Sequence, residues 1–202
     1  MTLYVSLCVL ELLQRNGLEL IIIIVNSELW KVTSVCAVVA VMGVTQLRDV
    51  VYVVCDRPSA VWMFDATTHQ QLSDIDAFGL VDVRMPRDIA ACEQTFQLYI
   101  ADNWQCVWRV STDGADLQYW LPRSPWDTFR PSSLSVKLAR LLVTSFDPKE
   151  LRQFDPNGDE LRRVRLPDDI VPYHAVESPT GTFIVCLSNA QLQWQVSVFV
   201  LL

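Results

Sequence analysis

Leu98-Tyr-Ile-Ala-Asp-Asn103, then Val107-Trp-Arg-Val-Ser111, then Asp113-Gly114 leading into Asp116 to Leu121, is the stretch that decides the fold. Each apolar run is too short for a helix and ends in polar residues, as short strands do. Asp-Gly between them is a strong hairpin signal, because Gly supplies the positive φ a tight turn needs. This stretch therefore predicts consecutive antiparallel strands, each paired with its neighbour in sequence.

The pattern recurs. Val51 to Asp56, Leu141 to Phe146 and Phe183 to Ser188 match Leu98 to Asn103, with starts 47, 43 and 42 residues apart. A following strand also recurs at Val61 to Asp65, Leu151 to Asp155 and Gln193 to Ser197, spaced from Val107 in step. Prolines open a third landmark at Pro86, Pro131 and Pro172, where a strand's first residue loses no ladder donor. Asn157-Gly158 repeats the turn and leads into Leu161 to Leu166. A unit of about 43 residues with four short strands is the plan of a propeller blade. An earlier fragment, Ile21 to Asn26 with Leu29 to Thr33, follows the same grammar. Trp30, Trp62, Trp108 and Trp194 then share one predicted place, packed between neighbouring blades.

The expectation is an all-β propeller of about four to five four-stranded blades, because six such units need about 258 residues and the chain has 202. It is of an incomplete or irregularly closed six-bladed type. Residues 1–20 read as an N-terminal apolar segment, and 21–202 as blades with cores near 21–43, 44–80, 85–122, 130–167 and 171–202.

Composition narrows the function classes. With 51% hydrophobic and 19% charged residues the chain can bury a core and does not read as disordered. A net charge of −7 argues against nucleic acid, whose phosphates require a Lys/Arg surplus. The six cysteines form no CxxC pair and sit mostly in apolar runs, which suits reduced, buried thiols and a cytoplasmic protein. No metal or cofactor is expected, and no membrane span.

The Pro86-Arg-Asp-Ile start, the Leu98 to Asn103 strand and the Val107 to Ser111 hairpin with Asp113-Gly114 resemble the blade of NHL-repeat and TolB-like six-bladed propellers. The likeness covers about 45–197. It implies a non-enzymatic interaction module that binds a protein or peptide, such as the substrate-selecting end of tripartite-motif ubiquitin ligases. None of the RING or B-box cysteine-histidine spacing of those ligases is present. The alternatives are a calcium-dependent hydrolase of the lactonase type, to which Asp102 and Asn103 would contribute, or a remnant without independent activity.

Large apolar residues in loops have no core reason to be there, and loop tips carry function. Trp104, Trp126 and Phe146 are therefore the predicted partner-binding aromatics. Asp56, Arg57 and Asn103 share their loop class, and Arg87, Tyr173 and His174 lie at the adjoining strand starts. His174 beside Pro172 reads as a locally satisfied loop histidine, with Glu177 its nearest acid. Arg162, Arg163 and Arg165 read as charges guarding an outer strand, and Asp155-x-Asn157-x-Asp159 as a turn, since Gly158 stands fourth where a calcium loop needs it sixth.

Overall fold

Leu98-Tyr-Ile-Ala101 and Val50-Val-Tyr-Val-Val-Cys55 are unbroken apolar runs, and such runs suit strands covered on both faces. The computed structural model bears this out, and describes residues 10–15, 18–25, 28–33, 41–56, 59–75, 83, 85–104, 106–121, 128–188 and 194–199. Among the described residues, eighteen strands form five antiparallel sheets, each a meander in sequence order. The first holds β1 (Leu10–Arg15), β2 (Leu18–Val25) and β3 (Glu28–Thr33). The second holds β4 (Val41–Leu47), β5 (Val50–Asp56), β6 (Ser59–Asp65) and β7 (Gln71–Ile75), and the third β8 (Pro86–Cys92), β9 (Gln97–Asp102), β10 (Cys106–Ser111) and β11 (Leu117–Leu121). The fourth holds β12 (Pro131–Lys137), β13 (Arg140–Ser145), β14 (Glu150–Phe154) and β15 (Glu160–Arg165), and the fifth β16 (Val171–Glu177), β17 (Phe183–Ser188) and β18 (Trp194–Phe199). Three of these sheets thus have four strands and two have three, and β1 lies within residues 1–20, the stretch read as an N-terminal apolar segment.

The third and fourth sheets each share one core with the sheet before and another with the sheet after. Leu98, Ile100 and Trp108 pack toward Tyr52, Val54 and Val61 of the second sheet. The alternate residues Tyr99, Ala101 and Val107 pack toward Leu134, Leu141, Val143 and Phe154 of the fourth. Leu142 and Leu151 continue the series against Ala175, Phe183 and Val185. Each large side chain so buried contributes about 1.5–3 kcal/mol relative to exposure. Trp120 reinforces one join, meeting Tyr99 and Phe154 edge to face and donating from Nε1 to the Pro156 carbonyl at 3.0 Å. The first strands of successive sheets lie against one another, β4 on β8, β8 on β12 and β12 on β16, and form the inner rim. The last strands β7 and β15 are largely exposed and polar, as outer edges are.

Register corrects one expectation. Trp30 pairs with Ile23, Trp62 with Val53 and Trp108 with Ile100, so these three do share one place. In the fourth sheet Arg152 takes it, opposite Val143. In the fifth, Val185 faces Ser197, and Trp194 pairs with Ser188 instead. Register follows connection length, and the longer span between Ser188 and Trp194 leaves Trp194 three residues short of the shared place.

The predicted turns form as read. Gly114 and Gly158 have φ of 74° and 93°, and Asp155 Oδ1 accepts the N–H groups of Asn157 and Asp159 at 2.8 and 2.9 Å. The thiols of Cys55, Cys92 and Cys106 are free and buried. Burial pushes Cys55 and Cys106 up to about 12, which keeps them protonated. Among the described residues no helix is long and apolar enough to cross a membrane.

Candidate functional site

The end of the sheets where β8, β12 and β16 begin also carries the β5–β6, β9–β10 and β13–β14 connections, because antiparallel pairing sets Pro86 opposite Asp102 and Pro131 opposite Ser145. Most of the predicted binding residues fall on this one end. Trp104 (46% exposed), Phe146 (37%) and Tyr173 (51%) are all solvent-facing, joined by Met85 and Val171, which the sequence reading missed. Phe146 and Tyr173 come from different sheets, and their rings stand 6.3 Å apart. Asp56, Arg87 and Asn103 are half-buried on the same end. Arg57 and Trp126 lie outside the described residues.

Asp102 holds this end together. Its Oδ1 accepts the N–H groups of Trp104 at 2.9 Å and Met85 at 3.3 Å, and its Oδ2 accepts Trp108 Nε1–H at 3.4 Å. Asn103 donates its own amide to the Met85 carbonyl at 3.0 Å. Asp102 is wholly buried and turned into its blade, a posture that shapes the loop rather than offering a ligand to the axis. Among the described residues no three of His, Cys, Asp and Glu gather into a group fit to hold a metal ion.

One step inward lies a second constellation. In four sheets the first strand slips register at the same point, between Val41 and Gly43, Pro86 and Asp88, Pro131 and Ser133, and Pro172 and His174. The bulged residues are Met42, Arg87, Ser132 and Tyr173, and a bulge re-aims the side chains beside it. Gly43, Asp88, Ser133 and His174 therefore hold one repeated position on the inner rim. Asp88 Oδ1 accepts the Ile89 N–H and Oδ2 the Leu134 N–H, each at 2.8 Å. His174 Nδ1 lies 2.9 Å from Ser133 Oγ and 3.9 Å from Asp88 Oδ2. His174 is thus a strand residue bonded across sheets, and the expectation of a locally satisfied loop histidine is corrected. Glu177 is remote from this chemistry: at the far end of β16 it binds Arg140 at 3.0 Å and Gln153 at 2.6 Å. Ser133 and Asp88 were not legible as site residues, although their recurrence two positions after each strand-opening proline was a usable signal. Of the arginine cluster on β15, Arg163 pairs with Glu160 at 2.8 Å and Arg162 lies over the Phe183 ring at 4.9 Å.

Desolvation moves both titrating groups toward neutrality. Asp88 is raised to about 7, against the two N–H bonds that favour its anion, and His174 is lowered to about 4. The signs give opposite pH dependences. The folded state holds the Asp88 proton more tightly than the unfolded chain, so this term loses stability as pH rises from about 4 to about 7. The folded state holds the His174 proton less tightly, so its term is lost as pH falls from 6.5 to about 4. Relative to wild type, His174→Gln is expected to gain stability as pH falls from 7 to 4, and Asp88→Asn to lose it. Urea unfolding across that range reads both slopes, and identical pH profiles for all three proteins would contradict this assignment.

Structural comparison agrees with the sheet arrangement. The chain is similar to virginiamycin B lyase from Staphylococcus aureus, with a TM-score of 0.65 at 10% identity over 91% of this chain and 64% of that one. It is also similar to a chain of the nidogen/laminin complex, with a TM-score of 0.62 at 12% identity over 89% and 74%. The WD40 β-propeller domain of Doa1 gives 0.59 at 14% identity over 80% and 52%. The fold is a β-propeller. Its blades are the five sheets, its inner rim is β4, β8, β12 and β16, and the aromatic end is one rim-side face of the propeller. The chain spans 45% of the hydrazine synthase chain from Kuenenia stuttgartiensis that it also resembles. No protein-family model matches the sequence, and no curated protein matches it.

Proposed function

We propose that this propeller is a non-enzymatic module that binds a protein or peptide through the face bearing Trp104, Phe146 and Tyr173. The supporting observation is that five exposed large side chains, these three together with Met85 and Val171, stand on the loop end of three consecutive blades. Core packing gives none of them a reason to face water, and exposed aromatic residues are enriched where binding energy concentrates. The rival reading, a calcium-dependent hydrolase, has no specific observation in its favour, since Asp102 is engaged in its own loop. Selection of substrates for a ubiquitin ligase is the finer setting we propose, and it rests on the blade resemblance alone.

Peptides selected on the full chain from a random displayed library provide the test, with affinities read by fluorescence anisotropy. The combined Trp104→Ser, Phe146→Ser and Tyr173→Ser variant is expected to weaken them by about 2 kcal/mol or more. Unchanged affinities with an intact fold would move the binding surface elsewhere.

A further inference from the structure

Asp88 is a carboxylate at the inner rim that makes no ion pair with any Lys or Arg among the described residues; the basic group nearest it is His174. Burial without a neighbouring charge sets its protonation, and buried acids are ordinarily paired. Its side chain keeps 17% of its surface exposed and that of His174 keeps 29%, so solvent reaches both. Room for the carboxylate comes from Gly43, where a Cβ would stand 2.6 Å from Asp88 Oδ1. An acid held without a Lys or Arg counter-ion, beside a hydroxyl bonded to an imidazole, is a functional-site signature.

We propose that Asp88, Ser133 and His174 form a seat for the ammonium group of a lysine side chain on the bound peptide. This rests on the peptide-binding reading above and names what the peptide must carry. Two acceptors, the Asp88 carboxylate and the Ser133 hydroxyl oxygen, come from successive inner strands and suit two of the three diverging donors of an ammonium, while His174 Nδ1 takes the Ser133 proton and turns the hydroxyl's lone pairs outward. Tyr173 and His174 are consecutive residues of β16, so the aromatic end and the seat are one residue apart along the same strand. A bound ammonium replaces the proton that Asp88 otherwise holds below neutral pH.

The test titrates the full chain with N-acetyl-lysine methylamide and, as its uncharged counterpart, N-acetyl-norleucine methylamide. The imidazole resonances of His174 report binding, and His174→Gln separates them from His69, the only other histidine. The lysine probe is expected to shift His174 saturably and to release protons at pH 6, with no shift from norleucine. Asp88→Asn should weaken the lysine probe at least about tenfold. Ser133→Ala, which keeps the carboxylate, should weaken it severalfold and carries the test if the first variant fails to fold. Equal responses to both probes, no response, or full binding by either variant overturns the seat. Trp104→Ser and Phe146→Ser should leave the small probe's binding intact, so loss of the seat and loss of the aromatic face register as different results.

Discussion

Replacing Arg152 by alanine is expected to destabilise the protein by about 3–5 kcal/mol, the range for breaking a buried ion pair from one side. Arg152 occupies on β14 the place that Trp62 and Trp108 hold in the two preceding blades. Its side chain is only 6% exposed, bonds Glu150 Oε2 from Nε at 3.0 Å and from Nη2 at 2.9 Å, and lies 4.0 Å over the Phe129 ring. Glu150 is itself buried, so alanine would leave a carboxylate in the core without its cation. The double change Glu150→Gln with Arg152→Trp removes both charges and restores the residue used by the sister blades. It should recover most of the loss. Urea unfolding measures both, and a loss under about 1 kcal/mol for Arg152→Ala would class the pair with surface ion pairs.

Gly43→Ala is the second large effect. The added Cβ would meet Asp88 Oδ1 at 2.6 Å, the Ile89 amide nitrogen at 2.8 Å and Asp88 Cα at 2.9 Å. Two of those atoms are backbone of the neighbouring inner strand and cannot rotate away, so β4 and β8 must move apart. Overpacking of this kind costs about 1–3 kcal/mol and sometimes more, and the upper end is expected here. Asp88→Ala in the same chain should not rescue it, because the backbone clashes stay. Thermal unfolding of the single and double variants is the measurement, and full rescue would show that the carboxylate alone was the obstacle.

The repeat was legible because each blade writes its own strands and turns. Leu98 to Asn103 and Val107 to Ser111 pair within a few residues of each other, and Asp113-Gly114 announces its turn by chemistry alone. Ring contacts between blades were not. Ser133 and His174 are 41 residues apart, and only the packing of β12 on β16 brings them to 2.9 Å. Trp104 and Phe146 could be found because large apolar residues in loops are conspicuous, whereas Met85 and Val171 beside strand-opening prolines look like ordinary strand residues. The displaced Trp194 was hidden for another reason, since nothing in a run of residues shows how far its connection will slide the next strand.

Because no core among the described residues reaches beyond two adjacent blades, damage in this molecule has a short range. A weakened blade loosens the partner on each side and is scarcely felt two places away. The molecule behaves as a row of leaning books, in which the third and fourth volumes are propped from both directions.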